Sequence, residues 1–150
     1  MTVQHHWLDI QTHRCLELVD LTAQVRSLVS SSGIHNGQVL VFNHHTTTAL
    51  AVNEYEPRLL EDIQNYLRRL AAPQETYLHN DLEKRPNIPA DEPRNAHAHL
   101  LAMTLHNSEC LPIVAGELGL GTYQSILLIE LDGPRQRQVL VQLSGAAESA

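Results

Sequence analysis

The sequence predicts a small α+β domain with a mixed, mainly antiparallel sheet packed with helices. Three observations carry that reading. The chain has 150 residues, a length that suits one domain spanning 1–150 and that needs neither disulfide nor metal to fold. Apolar residues make up 43% and charged residues 18%, the balance of a globular chain rather than a disordered one. Strand-like and helix-like segments are interspersed, and the last two strands read as a hairpin. That pattern argues against a doubly wound sheet.

Val3 to Ile10 and Arg14 to Val19 read as short strands joined by a turn. Asp20 or Thr22 is placed to cap the helix that follows. In it Leu21, Val25, Leu28 and Val29 share one face, and Ser30 to Gly33 end it. Asn36-Gly37 is a turn signal. Gln38 to Asn43 is a candidate buried strand, and Thr47 to Val52 another, its threonines favouring extended backbone. A helix begins near Glu56, with Pro57 in its first turn. Its buried stripe is Leu60, Ile63, Leu67 and Leu70, and Arg68 and Arg69 suit its C-terminal dipole.

Residues 71–95 hold Pro73, Pro86, Pro89 and Pro93 and read as a long polar loop, a feature often tied to function. Ala96 to Leu105 is a helix with Asn95 as its expected cap. Pro112 to Val114 is a short strand ending in a turn at Gly116. Tyr123 to Leu131 and Arg137 to Leu143 are the hairpin strands, joined by a turn at 132–135.

The net charge is −7, which leaves no basic excess to neutralise nucleic-acid phosphates or to bind an anionic membrane. Two cysteines, Cys15 and Cys110, make neither a disulfide framework nor a Cys-rich zinc site. No signal peptide and no membrane-spanning run is evident. A soluble, cytoplasmic protein is expected.

The unusual quantity is histidine: ten residues, as many as lysine and arginine together. Three polar clusters carry the candidates. The first is Asn43-His44-His45-Thr46-Thr47-Thr48, followed by Asn53-Glu54. Adjacent strand side chains point to opposite faces, so His44 and His45 cannot both face one site. The second is Tyr77-Leu78-His79-Asn80-Asp81. The third is Asn95-Ala96-His97-Ala98-His99, where a helix makes the two histidines diverge. One histidine from each cluster would make a three-imidazole metal site with an open position. The bland reading is histidines bonded to threonines and carboxylates. Gly119 to Gln124 is glycine-rich but fits no phosphate-loop fingerprint.

Several stretches taken together resemble one family. They are His45-Thr46-Thr47, Ala49-Leu50, Asn53-Glu54, Asp62, Tyr77-x-His79 and Asn95-Ala96-x-Ala98-His99. They continue through Ser108, Pro112, Gly116-x-Leu118-x-Leu120-Gly121-Thr122-x-Gln124 and Asp132-Gly133-Pro134-Arg135. In this order they resemble the YjbQ family, whose members carry the name secondary thiamine-phosphate synthase. The likeness runs over about residues 38–145. The family's usual tryptophan is Tyr123 here. Its usual Lys-Ser-Ser run is Leu101-Ala102-Met103, and the loop over 80–94 is longer than the usual form.

The resemblance implies a homotrimer with a polar pocket near the subunit boundary. The family's shared histidines fall on His45, His79 and His99, so these are the expected ligands of a divalent metal, zinc first and magnesium second. His44 and His97 match no shared position. Glu54 is the expected general acid or base, poised by burial, with Asn53 and Arg135 completing the catalytic set. Thr46, Thr122 and Gln124 would orient an anionic substrate. The synthase name implies joining a pyrimidine diphosphate to a thiazole phosphate with release of pyrophosphate. With Lys84 the only lysine, a metal-binding enzyme acting on a phosphorylated or anionic small molecule is the broader expectation, with weak synthase activity. The rival is a non-catalytic trimer that binds a metal or metabolite.

Overall fold

A computed structural model describes residues 1–147. The chain runs β1 (Thr2–Gln11), β2 (Glu17–Asp20), α1 (Thr22–Ser31), β3 (Asn36–Asn43), β4 (Thr48–Asn53) and α2 (Pro57–Leu70). It continues through α3 (Ala96–Thr104), β5 (Ser108–Val114), β6 (Glu117–Leu118), β7 (Ser125–Glu130) and β8 (Gln136–Ala146). The expected α+β class holds, and every named strand pairing is antiparallel.

The strands divide into two sheets. One has the order β1-β8-β3-β5-β6, and the other has β2-β7-β4. Val39, Val41, Leu111, Ile113, Val139, Val141 and Leu143 cover the inner face of the larger sheet. They pack with Val25 and Val29 of α1 and with Leu50, Ile126 and Leu128 of the smaller sheet. The opposite face of the smaller sheet packs Ala49, Leu127 and Ile129 against Leu67 of α2 and Ala98 and Leu101 of α3. The smaller sheet is therefore a middle layer, apolar on both sides. That is why β7 reads Ile-Leu-Leu-Ile without alternation.

This layering overturns the expected hairpin. β7 lies in the smaller sheet and β8 in the larger one. A strand covered on both faces cannot share a sheet with β8, whose buried Val139, Val141 and Leu143 alternate with more open positions. Residues 132–135 form a corner between the sheets instead. Asn36-Gly37 is likewise not a turn: it opens β3, with Gly37 paired to Ile113 and Gly145. A Cβ there would collide with the Ser144 carbonyl oxygen, so close strand approach explains the glycine.

Local chemistry sets the helix starts. Glu56 caps α2 by accepting from the Arg58 and Leu59 amides, and Pro57 follows as its first residue. The Asp20 carboxylate accepts from the Thr22 amide at the start of α1. Asn95 does not cap α3; its side chain turns to Asp132, and Asn80 accepts the Ala96 amide instead. Leu70, expected in the α2 stripe, is 46% exposed. The loop 71–95 carries short 3-10 turns at Leu78–Asn80 and Leu82–Lys84. Asn80 thereby fastens the long loop to α3.

Candidate functional site

The β3–β4 connection, the start of α3, the 78–92 loop and the corner at 132–135 meet at one end of the smaller sheet. Buried Asn43 shapes the first of these. Its Oδ1 accepts from the His45 amide and the Thr48 hydroxyl, while its Nδ2 donates to the His45 and Thr48 carbonyls. The chain is thereby folded so that His44 and His45 take different partners, with ring centroids 6.3 Å apart. His44 packs edge-on against Trp7, ring centroids 5.1 Å apart. His45 turns towards the start of β8, where the Gln138 amide donates to its Nε2 at 2.9 Å.

Behind the corner lies a buried ion pair. Arg137 donates from Nε and Nη2 to Glu130 at 2.7 and 2.6 Å. The Thr12 hydroxyl and the Asp132 amide also donate to Glu130, and Arg137 donates to the Thr47 hydroxyl. Glu130 and Arg137 are 0% and 4% exposed, yet every contact is charge-assisted and paired. Asp132 accepts from Asn95 and from Arg135. This network locks the corner that presents Arg135.

Thr46, Glu92, Asn95, His99, Asp132 and Arg135 line an open cleft of about 270 Å³ in front of it. His79 stands against His99 with ring centroids 4.8 Å apart. Arg85 bridges the Glu92 carboxylate and the His79 carbonyl. His79 Nε2 and Asn95 Oδ1 are buried without a hydrogen-bond partner. Burial pushes the His99 pKa down, and the neighbouring His79 pushes it the same way. Burial also lowers His45, followed by the Arg137 charge.

The expected site residues divide between two places. His79 and His99 meet, with Thr46 and Arg135 beside them. His45 does not join them in a metal cluster. Among the described residues no group of three or more His, Cys, Asp or Glu is arranged to hold a metal. The Gln138 amide occupies His45 Nε2, so the proton of the neutral ring sits on Nδ1, leaving no lone pair for a metal. Asn53 and Glu54 lie at the far end of β4, about 17 Å from Thr48 at 3.3 Å per residue. Asn53 pairs with Ser125 there. Glu54 is exposed, not poised by burial. Thr122 and Gln124 lie at that same far end, where Gln124 folds back to accept from the Gly121 amide. Arg85, Glu92 and the Glu130–Thr12 contact escaped the sequence reading, because nothing in their spacing marks them. The expected divergence holds for His97 and His99, which line different pockets, whereas His44 and His45 lie between strands with ring centroids 6.3 Å apart.

Comparison with known proteins places this architecture. The model of the family described as UPF0047 protein YjbQ-like matches residues 6–146. A UPF0047 protein of Archaeoglobus fulgidus is 42% identical over 135 residues, 90% of this chain and 97% of that one. One from Methanothermobacter thermautotrophicus is 39% identical, over 97% of this chain and 94% of that one. A crystal structure of a YbjQ-like protein of unknown function from Sulfolobus solfataricus superposes with a TM-score of 0.88 at 38% identity. It covers 97% of this chain and 99% of that one. A hypothetical protein from Aeropyrum pernix superposes with a TM-score of 0.86 at 39% identity, over 95% and 99% of the two chains. The chain belongs to the YjbQ-like UPF0047 family. Among the described residues no helix is long and apolar enough to cross a membrane.

Proposed function

We propose that this YjbQ-like chain is an enzyme for a small phosphorylated or otherwise anionic molecule. Its reacting centre is the cleft between His79, His99 and Arg135, with a divalent metal on the imidazoles. One observation carries the reading: His79 Nε2 is buried, faces no partner among the described residues, and stands against a second imidazole. An unsatisfied buried nitrogen costs about 1–3 kcal/mol, which a bound metal recovers. The donor set suits zinc, which favours imidazole nitrogen. Magnesium wants oxygen, and the Asp132 and Glu92 carboxylates are already engaged by Arg135 and Arg85. A bound zinc ion supplies Lewis-acid polarisation of a phosphoryl or carbonyl oxygen.

The protein's own groups do the rest. Arg135 is 43% exposed at the cleft, and its guanidinium is fixed by Asp132, so it meets an incoming anion with little reorganisation. The Thr46 hydroxyl lies beside it. Arg85 and Arg137 are paired and largely covered, so the cleft offers one open cationic surface, the half-exposed face of Arg135 that Asp132 does not engage. That suits a single phosphate better than a pyrophosphate leaving group, in keeping with a weak synthase activity at most. Glu54, Asn53, Thr122 and Gln124 join the reaction only if a second copy brings them. We take the assembly to be the homotrimer, with the outer sheet face as the contact. Trp7, Leu140 and Phe42 lie in one cross-strand row there, and Trp7 is 49% exposed.

The test is metal content per subunit after dialysis, read beside circular dichroism. His79→Ala and His99→Ala are expected to lose the metal and keep the fold, while His45→Ala keeps the metal. Metal retained by both of the first two variants overturns the site. Zinc-loaded protein that turns over no phosphorylated substrate, with or without Arg135, supports the non-catalytic trimer instead.

A further inference from the structure

His97 lies on the other side of α3 from His99 and faces a different space. A cavity of about 300 Å³ opens between the start of β2, α2 and α3, lined by Arg14, Leu16, Arg68, His97, Leu101 and Leu131. Its floor is apolar, with Leu101 and Leu131 each 3% exposed. At its rim Arg14 and Arg68 are exposed. Neither forms an ion pair with a carboxylate among the described residues; Arg68 donates only to the amide oxygen of Asn65. Inside, His97 Nδ1 is buried and has no hydrogen-bond partner.

Each of these features selects something in a ligand. Two unpaired guanidiniums at a rim select an anion, and the fork geometry of arginine favours a carboxylate or phosphate. An apolar floor selects a hydrocarbon or ring body. A buried imidazole nitrogen without a partner selects a hydroxyl, which can donate or accept whichever tautomer is present. A space of this size, about ten water volumes, holds a molecule of about ten heavy atoms. We propose that the chain has a second ligand site here, distinct from the His79–His99 cleft. It binds a small hydroxylated carboxylic acid, with Arg14 and Arg68 on the carboxylate, Leu16, Leu101 and Leu131 on the body, and His97 on the hydroxyl.

The experiment is a proton–nitrogen NMR titration of the full chain with 4-hydroxybenzoate and mandelate. Benzoate and 4-hydroxybenzamide are the controls that lack one recognised group each. Saturable shifts are expected at the amides of residues 14–16, 64–71, 97, 101 and 131, and not at 79, 99 or 132–135. Arg14→Gln with Arg68→Gln is expected to weaken both acids about tenfold. His97→Leu is expected to weaken 4-hydroxybenzoate to the level of benzoate and leave benzoate unchanged, a pattern that a merely structural role does not produce. Both arginines are exposed, so their variants keep the question open to refutation if His97→Leu does not fold. Three results overturn the site: no saturable shift with either hydroxy acid, shifts indifferent to the arginine variants, or 4-hydroxybenzamide binding as tightly as the acids. Because the responding amides differ from those of the metal cleft, failure here leaves that reading standing, and the reverse.

Discussion

The two ends of the three-stranded sheet hold polar residues of the same family pattern, yet they are built differently. At the Thr48–Glu130 end, Thr12, Thr47, Asn95, Glu130 and Arg137 are buried and joined by hydrogen bonds. At the Asn53–Ser125 end, Asn53, Glu54, Thr122 and Gln124 are all exposed. Asn53 spends its amide oxygen on the next backbone N–H. The first end is closed by the corner to the larger sheet and by α3. The second is left open among the described residues. Preorganisation therefore comes from the crossing of layers, not from the identity of the polar residues. An exposed carboxylate acquires catalytic geometry only when a second surface covers it.

Breaking the buried network tests this contrast most severely. Glu130→Ala leaves Arg137 buried without its counter-charge and is expected to lose about 3–5 kcal/mol of stability in urea unfolding. Adding Arg137→Met is expected to return much of that loss, since the stranded charge is then gone. A small loss in Glu130→Ala would mean that water enters behind the corner and that the two ends are alike. Next in size is Thr12→Val. The Thr12 hydroxyl donates to Glu130 and accepts from the Arg135 amide at 2.8 Å. Its removal is expected to cost about 1–2 kcal/mol, with the loosened corner showing as weaker anion binding at Arg135.

A pH series sharpens the comparison further, because the histidines with lowered pKa lie at the built end and around α3. Burial holds the pKa of His45, His97 and His99 below the ordinary imidazole value of about 6.5. The unfolded chain then binds more protons than the folded one in the window below 6.5. Stability is expected to be full above that value and to fall as the pH drops through it towards the folded-state pKa values. Urea midpoints that stay level from about pH 7.5 to pH 5 would contradict this, and His99→Ala is expected to flatten the slope. The smallest effect belongs to the open end. Glu54→Gln and Gln124→Ala are expected to shift stability by less than about 0.5 kcal/mol and to leave metal content unchanged. A larger shift, appearing only at concentrations where copies associate, would show that a neighbour covers that end.

Much of the fold was legible in the residues. Helix α2 announced itself through Glu56, Pro57 and the Leu60–Ile63–Leu67 stripe, which are local signals acting within a few residues. The divergence of His97 from His99 also follows from helical period alone. The family emerged from a chain of separate short matches. Sheet membership did not. A continuous apolar strand such as β7 and an alternating one such as β8 look adjacent along the chain. Which layer each enters depends on what covers its second face, and α2 and α3 supply that cover from distant sequence. The same reason governs the sites. Residue type and spacing marked three histidine clusters, and the family resemblance narrowed them to His45, His79 and His99 and added Arg135. Whether a nitrogen is free, as in His79, or already taken by an amide, as in His45, is settled only by partners that other strands bring. Hydrogen-bond satisfaction is a property of the assembled interior, and no local stretch of sequence contains it.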